Sequence, residues 1–282
     1  MKKLFFRYRI LHWGEKISSL RPLGYTLFGY VFASHFSLLA MTLNLLLGAG
    51  ILTASYFLND YYDWKLQHER NFVSREPQVQ KHMVWYFSFP LLISLAAGTI
   101  LVSQSYVSLP SLAPLLLAAV LSFLYSFPPV RLKDRKGIHF FIFPVCVTLL
   151  FLASILMFGS FSKIIVAFSL IIFLYQCYLE SLHQIQDIFE IHESRKLASP
   201  NQARRIAQIL LGVYIGVALI LSILINLPFF LISALFGGVR LLRLFQVRLV
   251  AIGRERRHIF SLLVSAEEYI LYSFLLLVGL IQ

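Results

Sequence analysis

The sequence predicts an all-α, polytopic membrane protein of about nine transmembrane helices, and three observations predict it. Apolar residues make up 59% of the chain and charged residues 13%, against about 45–50% and about 25% in soluble domains. Mean hydropathy is +0.76. The apolar residues fall in runs long enough to cross a bilayer, which takes about 20 helical residues, and the segments between runs are too short to build a soluble core. The expectation is one integral-membrane domain over residues 1–282.

Taken in order, residues 1–21 interleave basic and aromatic side chains, and Arg7 and Arg9 interrupt any signal-like apolar core. This stretch reads as a cytosolic interfacial segment. No residue from Pro22 to Asn59 is formally charged, so the run is expected to hold two spans turning near Ser34 to Ser37, with Pro22 in the first helical turn. Further spans are expected at roughly 82–104, 108–127, 137–159 and 163–186. Residues 203–239 form a double-length run broken at Asn226-Leu227-Pro228; Arg240 and Arg243 near its end can reach the interface by snorkelling. The last span, about 260–281, carries Glu267 and Glu268. They read as first-turn carboxylates of a helix starting near Ser265; a start at Ile259 would make them intramembrane and functional instead.

Charge distribution supports the count. With a cytosolic N-terminus, the cytosolic segments are about 1–21, 60–81, 128–136, 187–205 and 240–258, and they hold every Lys and Arg except Lys163. Short basic loops on one side are what the positive-inside rule describes, so the net charge of +12 points to membrane orientation and no nucleic-acid partner. Cys146 and Cys177 both lie in apolar runs and read as small buried hydrophobes.

The polar chemistry gathers on the expected cytosolic face. The second span runs into NDYYD, placing Asn59, Asp60 and Asp63 at i, i+1 and i+4 of a helix; Asp60 and Asp63 then share a face. Two carboxylates and an amide make an oxygen ligand set for Mg²⁺, with a plain acidic helix end as the alternative. The fourth span ends in YSFPPVRLKDRK, where Pro128-Pro129 stops the helix ahead of Arg131, Lys133, Arg135 and Lys136. The sixth ends in YLESLHQIQDIFEIHE, where Glu180, His183, Asp187 and Glu190 form one helical stripe. Carboxylates inside a span usually face a cavity or a partner; solvation at the cytosolic end is the other reading of Glu180 and Asp187, and packing the other reading of His183. Two acidic helix ends with a basic loop between them suit an anion held through metal, a diphosphate above all.

Arg21-Pro22, NDYYD at 59–63, YSFPPVRLK at 125–133 and HQIQD at 183–187 together resemble the UbiA superfamily of intramembrane prenyltransferases, in motif order and over essentially the whole chain. The resemblance implies a helical bundle around a central cavity with a cytosolic cap. The implied activity is transfer of a polyprenyl group from its diphosphate to an aromatic or other lipophilic acceptor, in quinone or related lipid biosynthesis. It assigns Asp60, Asp63, Asp187 and Lys133 as catalytic, with Mg²⁺ on Asp60, Asp63 and Asp187 and Glu190 as a further candidate ligand. Asn59, Arg75, Tyr125, Arg131, Glu180, His183 and Gln184 become substrate-binding residues. Apart from the resemblance, the Lys/Arg bias and the lack of a transit-peptide pattern lead to the expectation of a bacterial or archaeal inner membrane with the site loops cytosolic.

Both acidic motifs depart from the family pattern. Gln67 stands where the first would carry another Asp, and Ile191 where the second would. Glu69, Glu190 or Glu193 could substitute. Loss of ligands leaves two further readings open: a phosphoribosyl or other lipid-phosphate transferase of the same fold, and a catalytically degenerate membrane homologue.

Overall fold

Long apolar runs with few internal breakers fold as helices because only helices and closed barrels satisfy every backbone group in hydrocarbon. The protein, seen in a computed structural model, is described over residues 21–33, 37–68, 72–75, 77–135, 137–191, 199–225, 228–246 and 273. Its helices are α1 Arg21–Phe32, α2 Leu38–Gln67, the short α3 Phe72–Arg75 and α4 Pro77–Lys81, α5 Met83–Ser103, α6 Ala113–Ser126, α7 Ile138–Phe158, α8 Lys163–Ile191, α9 Pro200–Ile225 and α10 Pro228–Gln246. Single 3-10 turns precede α6, at Leu109–Leu112, and α7, at Leu132–Asp134.

Six of these stretches are long and apolar enough to cross a membrane: Leu38–Gln67, Met83–Ser103, Leu109–Ser126, Ile138–Phe158, Lys163–Leu182 and Asn201–Ile225. Two more are apolar but shorter, Leu23–Phe32 and Phe229–Leu242. Among the described residues the expected first span is thus a helix of 12 residues, about 18 Å long at 1.5 Å per residue. The expected ninth span and its Glu267 and Glu268 lie outside the described residues, as does the interfacial segment up to residue 20.

Compact packing divides the chain into two units. Of the described residues, the first takes those up to Lys133 and 149–160, the second 134–148 and those from 161 on. In the first unit α2 is the central element, packed against α1, α5 and α6. Ser37 caps it, its hydroxyl accepting from the Ala40 N–H at 3.3 Å. The turn into α2 is tied from the preceding helix: the Tyr30 hydroxyl donates to the Ser37 carbonyl at 2.8 Å and accepts from the Ser37 N–H at 2.9 Å. At Gly50 the backbones of α2 and α5 come so close that a Cβ would collide with the Pro90 carbonyl and with Ser94. The Ser94 hydroxyl donates across that contact to the Leu47 carbonyl at 2.7 Å. Deeper in, Asn44 donates to Ser154 at 3.0 Å, a buried polar tie within a cluster of Leu43, Leu47, Ile51, Leu101 and Leu150.

The last turns of α2 are what position the site. Twenty residues from Leu38 end at Phe57, so a helix of 30 residues carries Asn59, Asp60 and Asp63 just past its apolar length. Acidic residues do not stop it there. It ends at His68, a left-handed residue with φ 55° and ψ 28° whose N–H caps the Trp64 carbonyl at 3.1 Å.

In the second unit α9 packs against both α8 and α10. Phe168 meets Phe229 at 4.6 Å and Phe230 at 5.2 Å between ring centroids. Arg204, near the start of α9, donates to the carbonyls of Leu244 and Phe245, the latter at 3.0 Å. It thereby satisfies free acceptors at the end of α10, where a cation is also favoured by the helix dipole. Among the described residues the apolar window of α9 is largely open, with Ile209, Ile220, Ile223 and Leu224 exposed.

Candidate functional site

Asn59 and Asp63 are four residues apart on α2, which turns their side chains to one face. The Asn59 Nδ2 donates to Asp63 Oδ2 at 2.9 Å. Its Oδ1 accepts twice, from the Ser126 hydroxyl at 2.9 Å and from Lys133 Nζ at 3.2 Å. With carboxylate on one side of the amide and two donors on the other, only one orientation of Asn59 satisfies all three partners.

The donors come from the segment that follows α6. Ser126 is the last residue of that helix; the Pro128-Pro129 peptide is cis, and the chain then turns back. Arg131 carries the turn with φ 35°, a left-handed conformation that non-glycine residues seldom adopt, and its N–H donates to the Phe127 carbonyl at 2.9 Å. Two residues on, the 3-10 turn presents Lys133. Its ammonium is paired with Asp63 Oδ1, while the Arg131 guanidinium stands 3.6 Å from the same oxygen. These side chains are 6% (Lys133), 9% (Asp63) and 12% (Arg131) exposed. One carboxylate thus stands between two cations in a half-dry place, where charges act strongly on what arrives. The Tyr62 ring meets Phe127 edge-on at 5.8 Å, giving the cluster an aromatic neighbour.

Asp60 is half-buried and one residue round the helix from Asn59; Tyr125, in the last turn of α6, is half-buried as well. Arg75 ends the short α3, with its side chain outside the described residues.

The remaining predicted residues belong to the second unit. Glu180 and Gln184 are buried, at 8% and 2% exposure, and Gln184 Nε2 donates to Glu180 Oε1 at 2.7 Å. Helix α8 continues unbroken to Ile191, so the stripe predicted through Glu180, His183, Asp187 and Glu190 has the helical register it requires. The side chains of His183, Asp187 and Glu190 lie outside the described residues. Among the described residues no three His, Cys, Asp or Glu side chains gather into a metal-holding group.

Two buried polar residues escaped the sequence reading, of which Ser126 contacts the cluster. Ser126 sits inside the YSFPP motif and could have been flagged as a hydroxyl at the end of an apolar helix. Gln176, 1% exposed, stands four residues before Glu180 and so extends the polar stripe of α8 one turn deeper. The structure also changes the emphasis on Asn59, Arg131 and Lys133. The sequence reading gives them to a substrate, whereas their described partners are protein groups, with Asp63 at the centre.

The chain matches no protein-family model and no curated protein. Among solved structures it is similar to a UbiA homologue from Archaeoglobus fulgidus. For the form bound to DMAPP and Mg²⁺ the TM-score is 0.72 at 17% identity, covering 98% of this chain and 97% of that one. A second structure of the homologue gives 0.72 at 18% identity, with 98% of each chain covered. The form bound to GPP and Mg²⁺ gives 0.67 at 16% identity, with 96% and 99% covered. The chain has the UbiA fold.

Proposed function

We propose that this chain, having the UbiA fold, is a Mg²⁺-dependent intramembrane prenyltransferase that moves a prenyl group from its diphosphate to a lipophilic or aromatic acceptor. The observation that carries the reading is the joining of NDYYD and YSFPPVRLK, separated by more than sixty residues, into one buried charged cluster in a chain with the fold of a protein solved with DMAPP, GPP and Mg²⁺. The reading extends to one domain over 1–282, about nine spans, a central cavity capped on the cytosolic side, and placement in a bacterial or archaeal inner membrane serving quinone or related lipid biosynthesis.

The donor set suits a hard cation. Asp60 and Asp63 offer carboxylate oxygens, as would Asp187 and Glu190 from α8, and no soft ligand is among them. When bound there, Mg²⁺ supplies positive charge that makes diphosphate a better leaving group. The chain's own residues do the rest. Lys133 and Arg131, with Arg75 as a further candidate, meet the outer diphosphate oxygens as cations. As the allylic C1–O bond breaks, its electron pair passes to the diphosphate, and the growing charge falls where these cations stand. The allylic cation left behind is shielded from water by apolar helices and attracted to rings such as Tyr125, worth about 0.5–2 kcal/mol per contact. The acceptor's electron pair forms the new bond to C1, and Glu180, His183 and Gln184 are the substrate-binding candidates of the second unit. The acceptor's proton goes to the released diphosphate or to a carboxylate.

The test is transfer itself. Purified protein with Mg²⁺, radiolabelled DMAPP or GPP and a panel of phenolic and naphthoic acceptors is expected to form labelled product, abolished by EDTA and by Asp60→Ala or Asp63→Ala. Absence of both product and Mg²⁺-dependent diphosphate binding would contradict the reading. Product from phosphoribosyl diphosphate and polyprenyl phosphate would replace it with the phosphoribosyl alternative.

A further inference from the structure

The short helix α4 ends at Lys81, and after His82 the apolar run of α5 begins at Met83. Because Met83–Ser103 is long and apolar enough to cross a membrane, Lys81 and His82 stand at the level of lipid headgroups, and Trp85 lies where indole rings collect at membrane boundaries. A cavity of about 430 Å³ opens here, lined by Tyr61 of α2 and by Gln80, Lys81, His82, Trp85 and Ser88 among others. It shares no lining residue with the cluster of Asn59, Asp63, Arg131 and Lys133. Its walls rest on packed structure. Gln80 Nε2 donates to the Val73 carbonyl at 2.8 Å, tying α4 to α3, and Val73 and Val79 are fully buried in a cluster with Phe57 and Tyr86.

The surroundings of the cavity divide into a cationic part and an apolar part. Lys81 and His82 are exposed, and a second ammonium stands near, that of Lys65, 5.6 Å over the Tyr61 ring. The Tyr61 and Ser88 hydroxyls add donors to the lining. Among the described residues that line it there is no Asp or Glu. Along α5, Trp85, Phe89 and Leu92 follow at i, i+4 and i+7 on one face, and they are 51%, 36% and 53% exposed. The Trp85 and Phe89 rings lie 5.7 Å apart, so the apolar stripe starts in the cavity and continues beyond it. A soluble anion would use only the cationic part. An amphiphile with an anionic head complements both.

We propose that this cavity binds an anionic phospholipid of the surrounding bilayer, with its phosphate on Lys81 and His82 and an acyl chain along Trp85, Phe89 and Leu92. The site stands apart from the transferase reading and does not depend on it. The test uses the full-length protein in phosphatidylcholine vesicles that carry, at equal and low mole fraction, either brominated phosphatidylglycerol or brominated phosphatidylcholine. Bromine on an acyl chain quenches indole fluorescence on contact, and subtracting the signal of Trp85→Phe isolates Trp85. Wild type is compared with Lys81→Arg and with Lys81→Gln/His82→Gln, with thermal unfolding as the check on folding. Quenching of Trp85 is expected to show phosphatidylglycerol favoured about fivefold over phosphatidylcholine, the scale of one lysine at an anionic surface. The double Gln variant is expected to bring the ratio near one, and Lys81→Arg to keep it. If the double variant unfolds, Lys81→Gln alone carries the comparison, and a ratio that it does not lower overturns the proposal. Equal quenching by the two lipids in wild type overturns it, as does a preference that survives in the folded double variant or that is absent from the Trp85 signal. A preference abolished by inorganic phosphate but not by chloride at the same ionic strength would give the cavity to a soluble anion and overturn it too.

Discussion

Asp63 is the residue on which the site's stability turns. Replacing it by Asn takes from Lys133 and Arg131 the carboxylate they share, and removal of one partner from a largely buried pair costs about 3 kcal/mol. Asp63→Asn is therefore expected to lower the unfolding midpoint in detergent, a loss that thermal denaturation checks and that the double variant Asp63→Asn/Lys133→Met partly restores. Ser126→Ala removes one of two donors to Asn59 Oδ1 and leaves Lys133 in place. Its expected stability cost is about 1 kcal/mol, accompanied by a several-fold fall in kcat with KM for the diphosphate little changed; an unaltered kcat would show that Asn59 does not need its hydroxyl partner. The i, i+4 relation of Asn59 and Asp63 was legible in the sequence because a helix enforces it. The Ser126 and Lys133 contacts were not, since they join residues 67 and 74 positions apart and depend on how α6 ends. Nor does local sequence reveal the left-handed Arg131, because an arginine in that conformation is held by its surroundings and not by its own preference.

Helix boundaries divide in the same way. Pro128-Pro129 and Asn226-Leu227-Pro228 mark ends that the structure places at Ser126 and Ile225, since proline cannot continue a ladder of N–H donors. The end of α2 eight residues beyond Asn59 was harder to read: charged side chains leave a helix intact, and the stop comes from the left-handed His68. The two short helices after it have too few residues for any periodicity to be seen. The close approach of α2 and α5 supplies the element-scale prediction. A Val at Gly50 must displace the Pro90 carbonyl and Ser94, and overpacking of this kind costs about 1–3 kcal/mol. Ser94→Ala, which only removes an interhelical hydrogen bond, costs about 0.6 kcal/mol. Thermal unfolding of both variants should rank them in that order, and equal midpoints would mean that the helices do not meet as tightly as described.

At the scale of the whole molecule, composition alone announced a membrane protein, because no soluble core could hide so much apolar surface. The orientation expected from the basic loops has its own test. The native Cys146 and Cys177 are buried and give little background. A cysteine at the exposed Ser108 should react with a membrane-impermeant maleimide applied to intact cells or spheroplasts, and one at the exposed Gln78 only after permeabilisation. The reverse pattern would invert the topology and put the site on the outer face.

The central claim is that the cluster of Asn59, Asp63, Arg131 and Lys133 receives the diphosphate of a prenyl donor. Release of inorganic diphosphate from GPP by the purified protein, followed with Mg²⁺ and an acceptor present, tests it most directly. The account predicts metal-dependent release matched one for one by prenylated product, and a loss of about a hundredfold or more in Lys133→Met, the scale on which removal of a group that meets developing charge is felt. Release that is absent under all donors and acceptors, or that proceeds equally well in Lys133→Met, would contradict it.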